Sequence, residues 1–258
     1  MSIQLGQRCA SFKSRLAQGD FLLGTFQKTP HMHVTEVLSL STLDVVCLDA
    51  EHAPFNRGDL DACCAIARAN DLPSVERVSH NSPEAILDAL DRGAGGIVAP
   101  HVRSAAEAQA LVKACQYGAG GRGFAGSTRA AWYATRGMPG HLEGTPNEVS
   151  VIAQIEDVEA LAEIDDIAAV PGIDALFIGR ADLTVALGET NMKAPVVIEA
   201  VETIMQACRA ANRAVGMFVG DLSEVPDWRA QGASLFLLGS DHSMMLQGAA
   251  ALRSQVGQ

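Results

Sequence analysis

The sequence predicts a single (β/α)8 barrel domain that spans residues 1–258, and three observations lead to this prediction. Short apolar runs alternate with segments of helical periodicity along the whole chain. Acidic, basic and imidazole side chains stand directly after several of these runs, where parallel strands end. The length of 258 residues, with 48% hydrophobic content, suits one such barrel better than two minimal domains.

The predicted strands are near-continuous apolar runs, as expected of strands buried on both faces of a parallel sheet. They cover residues 21–26, 44–48, 74–78, 95–99, 149–155, 173–178, 214–219 and 234–239. Between them apolar residues recur at helical spacing, as at Ile86, Leu87 and Leu90. This alternation predicts parallel pairing throughout the sheet.

Two helix starts support this order of elements. Ser82 followed by Pro83 is a capping residue before a proline in the first turn, and Ser104 with Glu107 forms a capping-box pattern. Eight βα units that close on themselves make a barrel. An open doubly wound sheet is the alternative, and it is disfavoured because no glycine-rich dinucleotide fingerprint follows the first strand.

The stretch 118–148 interrupts the alternation. It is rich in glycine and carries Arg122, Arg129, Arg136 and Trp132. Long irregular loops in compact domains are usually functional or interfacial. Because the stretch follows a helix and precedes a strand, it begins on the face opposite the predicted site. We expect it to serve as an oligomer contact or a lid.

The composition argues against several classes of function. A formal net charge of −11 without a basic cluster disfavours a nucleic-acid partner. No segment approaches the roughly 20 apolar residues of a membrane span, and Met1 to Arg15 contains no apolar run of signal-peptide type. The six cysteines lie at no metal-finger spacing, as buried reduced thiols do. We therefore expect a cytoplasmic protein without nucleic-acid or membrane partners.

Acidic side chains after two neighbouring strands predict a metal site. Glu156 follows the fifth predicted strand and Asp182 follows the sixth, so both can project toward one point above the barrel. Two carboxylates without a histidine or cysteine cluster nearby favour a hard cation such as Mg²⁺ or Mn²⁺. The alternative is a structural acid at a helix N-terminus, where the helix dipole stabilises it.

His52 and Arg77 are the other candidates for chemistry. His52 follows Asp49 at the end of the second strand, and an imidazole that titrates near neutrality can shuttle a proton. The alternative is a structural histidine bonded to a loop. Arg77 ends the third strand, where a guanidinium suits a carboxylate or an enolate oxygen; a pair with Glu76 is disfavoured because neighbours in a strand face opposite ways. We interpret every other histidine as structural, including His101 at the end of the fourth strand.

Together these residues resemble the HpcH/HpaI aldolases, which are metal-dependent class II pyruvate aldolases. The resemblance runs from about Phe21 to Leu252. It rests on residues 49–54, the strand with Arg77, and residues 90–94, 121–123, 154–156 and 177–183. It implies a barrel that assembles as a trimer or hexamer, with a C-terminal helix exchanged between subunits. It also implies that 4-hydroxy-2-oxo acids are cleaved or formed from a pyruvate enolate and an aldehyde, with Mg²⁺, Mn²⁺ or Co²⁺ as cofactor.

The resemblance assigns roles to individual residues on the donor side of that reaction. Glu156 and Asp182 would hold the metal ion, and Gln154 would orient the 2-oxo acid. The backbone amides of Ala181 and Asp182 would receive the pyruvate carboxylate. Arg77 would lie against the 2-oxo oxygen and stabilise the enolate.

On the aldehyde side, His52 with Asp49 near it would handle the proton of the hydroxyl group. Asp91 matches an acid that the family supplies from an adjacent subunit. That role in trans agrees with its position before the fourth strand, which places it on the opposite face of its own barrel.

Two departures and one absence bear on the choice of reaction. Arg180 stands where the family commonly has proline, and residues 24–26 lack the tryptophan that is frequent there. Lys28, Lys113 and Lys193 do not end a predicted strand, which disfavours Schiff-base chemistry. A related carbon–carbon lyase or synthase acting on oxaloacetate or an acyl-CoA stays open, because Arg180 adds an anion contact. A non-enzymatic binding or structural oligomer is disfavoured, because such a protein would be expected to have lost Glu156, Asp182, Arg77 and His52, and all four are present.

Overall fold

The computed structural model describes residues 7–257, and within them eight parallel strands close into one barrel. In chain order the strands are β1 (Leu22–Gln27), β2 (Val45–Asp49), β3 (Ser74–Arg77), β4 (Gly96–Ala99), β5 (Ser150–Ile155), β6 (Ala175–Ile178), β7 (Ala214–Val219) and β8 (Leu235–Ser240). Each strand pairs with its neighbour in sequence, and β8 pairs with β1. All the predicted strands are confirmed to within a residue or two, and the open doubly wound alternative is wrong.

Helix α1 precedes the first strand, and the other helices follow the strands and form the outer layer. They are α1 (Gln7–Ala17), α2 (Met32–Ser39), α3 (Arg57–Ala69), α4 (Pro83–Asp91), α5 (Ala105–Cys115), α6 (Met138–Glu148), α7 (Glu159–Ala162), α8 (Ile164–Ala169), α9 (Arg180–Ala186), α10 (Pro195–Ala210), α11 (Val225–Gln231) and α12 (Asp241–Gln255), with 3-10 turns at Trp132–Ala134 and Leu222–Glu224.

The alternation of side chains along each strand divides the core into two parts. In β2, Val45 and Cys47 belong to the cluster inside the barrel, whereas Val46 and Leu48 pack outward against α3. Helix α1 contributes side chains to the inner cluster and so closes the amino-terminal end of the barrel. By the same alternation Asp49, at the end of β2, points inward and upward toward the open end.

The predicted helix starts are right in one case and half right in the other. Ser82 caps α4 by accepting a hydrogen bond from the Ala85 amide. Ser104 accepts from the Glu107 amide as predicted. The Glu107 carboxylate, however, accepts from the Arg103 amide at 2.7 Å, one residue before the position that a capping box requires.

The stretch 118–148 is not the irregular loop that its glycines predict, since α6 fills its second half. Gly137 has a φ of +70° and Pro139 lies in the first turn, a pattern typical of a helix start. Helix α6 contacts α1, so the stretch covers the amino-terminal end of the barrel, opposite the predicted site, as expected.

Burial and hydropathy add two facts about the described part of the chain. The six cysteines are free thiols, and all except Cys9 are buried. Among residues 7–257, no helix combines the length and apolarity that a bilayer crossing requires.

Candidate active site

A cavity of 630 Å³ opens at the carboxyl ends of the strands. Its wall includes the last or next-to-last residues of six strands, which are Phe26, Arg77, Gln154, Phe177, Phe218 and Ser240. The predicted residues His52, Ala181 and Asp182 also line it. Side chains distant in sequence therefore meet in one cavity because parallel strands end at the same edge.

A buried ion pair forms the base of this cavity. Arg77 donates from Nε and Nη2 to Asp49 Oδ1 at 3.0 and 2.9 Å, and from Nη2 to Oδ2 at 2.9 Å. Burial disfavours the ionised carboxyl, but the charge and hydrogen bonds of Arg77, the His52 amide and the Lys28 charge together lower the pKa of Asp49. The guanidinium also lies 4.5 Å from the Phe26 ring centroid. A carboxylate does meet Arg77, as predicted, while Glu76 faces the other way and pairs with Arg92 at 2.6 Å.

Lys28 is a cation in the cavity to which the sequence analysis gave no role. It does not end a strand, as expected, but it directly follows β1, which runs to Gln27, and lines the cavity. Its Nζ lies 3.3 Å from Asp49 Oδ2. The amides of Lys28 and Thr29 donate to the two oxygens of Asp241 at 2.8 and 3.0 Å, which fixes the end of β1 against the start of α12.

His52 is tied to Asp49 by its backbone, with its ring directed elsewhere. The His52 amide donates to Asp49 Oδ1 at 3.1 Å. Its imidazole is about half exposed, lines the cavity, and has Nε2 3.7 Å from Glu51 Oε2. The ring is therefore accessible to a bound molecule.

A second acidic cluster lies beside the ion pair. Ligand atoms of Glu51, His101 and Glu156 lie within 4.8 Å of one another, a spacing that suits a shared cation. His101 Nδ1 is 3.4 Å from Glu156 Oε1 and 2.9 Å from Asp157 Oδ2. Although burial opposes it, the Asp157 hydrogen bond and the charge of Glu156 raise the pKa of His101.

Glu51 and His101 are the residues that the sequence analysis missed. It gave no role to Glu51 and a structural one to His101. The signal was present, because His101 closely follows β4 and Glu51 lies between Asp49 and His52. His101 has a φ of +55°, which is uncommon for a residue other than glycine and typical of a functional site.

The surroundings of this cluster fit a divalent cation. Glu51 Oε2 and Gln154 Oε1 are buried and, in the described part of the chain, have no hydrogen-bond partner. Burial raises the pKa of Glu51, and the nearby negative charge of Glu156 raises it further, whereas the positive charge of Arg77 acts in the opposite direction. The like charges of Glu51 and Glu156 disfavour each other, and a cation between the two carboxylates would relieve that repulsion.

Glycine at the end of β6 allows this arrangement. A Cβ on Gly179 would lie 2.7 Å from Glu156 Cβ and 2.8 Å from Glu156 Oε2. Gln154 Nε2 donates to the same carboxylate, and the His101 amide donates to it at 2.9 Å. The helix-cap alternative for Glu156 is not observed, because α7 begins at Glu159 without a side-chain cap.

Asp182 and Ala181 occupy the first turn of α9, on the cavity wall. Both are exposed. Within residues 7–257, the group of ligand atoms closer than 4.8 Å contains Glu156 and does not contain Asp182. The structure therefore places the two predicted metal ligands at one end of the barrel, with Gly179, which lines the same cavity as Asp182, in contact with Glu156.

Comparisons with known proteins agree with this architecture. The model of the HpcH/HpaI aldolase/citrate lyase family matches residues 22–247. The chain is 32% identical to a hydroxypyruvate/pyruvate aldolase of Roseovarius nubinhibens, over 92% of this chain and 93% of that protein. It is 34% identical to a 4-hydroxy-2-oxovalerate aldolase of Rhodococcus jostii, over 96% of each.

The chain belongs to this family. Solved structures agree: an HpcH/HpaI aldolase/citrate lyase family protein of Burkholderia cenocepacia superposes with a TM-score of 0.91 at 31% identity, covering 96% of this chain and 99% of that one. Citrate synthase SbnG superposes with a TM-score of 0.85 at 29% identity, covering 96% and 97%. Aldolases and citrate lyases both break carbon–carbon bonds, so this HpcH/HpaI family member is a carbon–carbon lyase.

One predicted residue of this family member lies far from the cavity. Asp91 ends α4, on the amino-terminal side of the barrel, and pairs with Arg122 at 2.5 Å. The structure thus leaves Asp91 outside the site of its own chain, which is the position that the sequence analysis expected.

Proposed function

We propose that the protein is a metal-dependent class II aldolase that cleaves or forms 4-hydroxy-2-oxo acids through a pyruvate enolate and an aldehyde. The observation that carries this proposal is the pair of adjoining clusters at one barrel end. One is the buried Arg77–Asp49 pair, and the other is the acidic group of Glu51, His101 and Glu156. The names of the aldolase relatives support the same reaction.

The metal site is proposed on the acidic side of the cavity. Glu156 and Asp182 are the ligands that the resemblance implies, and Glu51 and His101 add further ligand atoms next to Glu156. Oxygen-rich sites of this kind suit Mg²⁺, Mn²⁺ or Co²⁺. The bound cation would supply Lewis-acid stabilisation of the negative charge that develops on the 2-oxo oxygen.

The residues of the chain then position the 2-oxo acid. The first amides of α9, at Ala181 and Asp182, have no acceptor within the helix and are proposed to donate to the carboxylate. Gln154 would orient the same group from β5. Arg77, held rigidly by Asp49, would donate to the oxygen that becomes the enolate, so its donors need no rearrangement during the reaction.

Proton transfer on the aldehyde side is proposed for His52. Its accessible ring can take a proton from the hydroxyl of the hydroxy-oxo acid during cleavage and return it during synthesis. Asp49 would act as a positioning residue, because its carboxylate holds both the His52 backbone and the Arg77 side chain.

We further propose that residues 1–258 form one barrel domain of a cytoplasmic homo-oligomer, a trimer or hexamer. The long helix α12 exposes Met245, Leu246 and Leu252, which favours its exchange with a neighbouring subunit. Asp91 would then complete the cavity of that neighbour, since it lies on the far face of its own barrel.

Metal removal tests this function directly. Purified protein treated with a chelator should release no pyruvate from a panel of 4-hydroxy-2-oxo acids, and Mg²⁺, Mn²⁺ or Co²⁺ should restore release. Full activity after complete metal removal would refute the class II assignment.

Two substitutions separate the proposed roles. Arg77→Ala should abolish deuterium exchange of the pyruvate methyl protons, because the enolate loses its donor. His52→Ala should reduce aldol cleavage more than this exchange. Arg136→Ala, which breaks a pair with Glu148 at the other barrel end, is the matched control and should change neither rate. If His52→Ala reduced the rates of aldol cleavage and of deuterium exchange equally, His52 would not be the group that transfers the aldehyde-side proton.

A lyase or synthase that uses oxaloacetate or an acyl-CoA is the second candidate. The likeness to citrate synthase SbnG and the cation at Arg180 favour it. A strict requirement for a CoA thioester, with no pyruvate released from hydroxy-oxo acids, would select this reaction.

A further inference from the structure

Arg180 is a buried cation in the cavity wall that the proposed reaction does not use. It is 6% exposed and begins α9. Its Nη2 donates to Glu224 Oε2 at 2.5 Å, whereas its Nη1 is buried and has no hydrogen-bond partner among the described residues. A guanidinium carries five donors in a fixed fork, so an unused Nη1 is a binding group without a ligand.

The charges around Arg180 favour an anion. Glu224 Oε1 also lies 3.3 Å from Lys193 Nζ, so two cations share one carboxylate. Of the other acids on the cavity wall, Asp221 accepts hydrogen bonds from its neighbour Ser223. Asp182 is the residue proposed above to bind the metal ion. In direct contact, Arg180 and Lys193 face the single carboxylate of Glu224, so this contact group keeps one net positive charge, although the exposed Asp221 and Asp182 add negative charge on the same wall.

The direction of the side chain separates this cation from the proposed 2-oxo acid position. The backbone of Arg180 immediately precedes the amides of Ala181 and Asp182, but its side chain runs to Glu224 and lies 5.5 Å from the Trp228 ring centroid. The cavity volume of 630 Å³ is in the range of pockets, about 300–1,000 Å³, that hold ligands larger than pyruvate.

We propose that Arg180 forms a subsite for a second carboxylate of the substrate, distinct from the carboxylate of the 2-oxo acid group. This inference rests on the proposed function and narrows its substrate class to molecules with two carboxylates. The second carboxylate has two sources: the tail of an acid-bearing aldehyde, or a dicarboxylic 2-oxo donor. A planar carboxylate would accept from Nη1, and Glu224 would keep the guanidinium oriented.

A binding experiment tests the subsite without any turnover. The chain has two tryptophans, so Trp132→Phe leaves Trp228 as the fluorescent reporter beside Arg180. Metal-free protein is titrated with malonate, succinate and glutarate, and with butyrate as the monocarboxylate. The best dicarboxylate should bind at least tenfold more tightly than butyrate, and Arg180→Met should remove that difference.

Arg229→Met is the matched control, because Arg229 is exposed and lies 4.1 Å from the Phe21 ring centroid, away from the cavity. It should leave the dicarboxylate preference in place. Equal binding of dicarboxylate and butyrate by the parent protein, or an unchanged preference in Arg180→Met, would overturn the subsite.

An activity experiment identifies the source of the carboxylate. With pyruvate as donor, succinic semialdehyde is compared with 4-methylpentanal, which has a branched apolar end in place of the carboxylate. With 4-methylpentanal as acceptor, oxaloacetate is compared with pyruvate. In each comparison the kcat/KM for the substrate with the additional carboxylate is divided by the kcat/KM for the substrate without it. Arg180→Met should lower this ratio at least tenfold in the comparison that contains the natural source of the second carboxylate. Unchanged ratios in both comparisons would refute the proposal.

The two proposals fail separately. If no aldol reaction occurs but dicarboxylate binding depends on Arg180, the proposed function fails and the subsite stands.

Glu224→Gln tests the subsite if Arg180→Met does not fold, because this substitution removes the carboxylate charge that competes for Arg180 and keeps an acceptor oxygen. It should tighten dicarboxylate binding at least threefold, and unchanged or weaker binding would contradict the subsite.

Discussion

Gly179→Ala is the sharpest test of the proposed metal site, since it changes the site without removing a ligand. The added Cβ would lie 2.7 Å from Glu156 Cβ and 2.8 Å from Glu156 Oε2. Ordinary contacts between carbon atoms begin near 3.4 Å, so the Glu156 side chain must retreat by about 0.7 Å. Its hydrogen bonds from Gln154 and from the His101 amide resist that movement.

Overpacking of this kind costs about 1–3 kcal/mol in a well-packed region. If most of it falls on the position of Glu156, metal affinity should drop about 10- to 100-fold, at about 1.4 kcal/mol for each factor of ten. The barrel itself should persist, because Gly179 lies at the end of β6 and outside the inner cluster.

The measurement is a calorimetric titration of metal-free protein with Mn²⁺, accompanied by thermal unfolding in chelator. Gly140→Ala on α6 is the control, since its Cβ would find only an ordinary contact of 3.6 Å with Arg136 Cγ. Mn²⁺ affinity of Gly179→Ala within twofold of the parent protein would refute the placement of the metal against Glu156. An equal loss of affinity in Gly140→Ala would show that the effect is not local.

Three further predictions concern the fold and its charges. Ser82→Ala should destabilise the protein by about 1 kcal/mol in urea denaturation because α4 loses its N-cap bond, and no loss would contradict the capping role. Arg92→Met should cost about 3–5 kcal/mol, since it leaves the Glu76 carboxylate, which is 2% exposed, without its cation; the double variant with Glu76→Leu should recover part of this loss. Burial opposes ionisation of Glu224, but the hydrogen bond and charge of Arg180, with hydrogen bonds from Lys193 and Trp228, together lower its pKa, so its contribution to stability is present above about pH 4.3 and is lost as the pH falls through the lowered value. Melting temperatures of Glu224→Gln should therefore decline less steeply than those of the parent protein between about pH 5 and pH 3, and parallel curves would contradict this.

The sequence analysis succeeded where the signal was local. Apolar runs identified the strands, because a strand buried on both faces is mostly apolar; β3 departs from this, since its buried Glu76 and Arg77 are held in ion pairs. The strand ends located His52, Arg77 and Glu156, since parallel strands of a barrel share one edge. The errors were also local. Lys28, one residue beyond β1, was given no role in the cavity, and the glycines near α6 concealed a helix with proline in its first turn.

The sequence by itself determined the barrel, the edge that carries the chemistry and the residue types available there. The tertiary structure alone decided which of those side chains meet. Asp49 and Arg77 pair because the register of β2 and β3 sets them side by side, and His101 joins Glu51 and Glu156 because β4 adjoins β5. Such contacts depend on register, on the inward or outward direction of each residue and on side-chain rotamers. A shift of one residue reverses the direction, so proximity at the strand ends is a property of the closed sheet and cannot be read from any one segment.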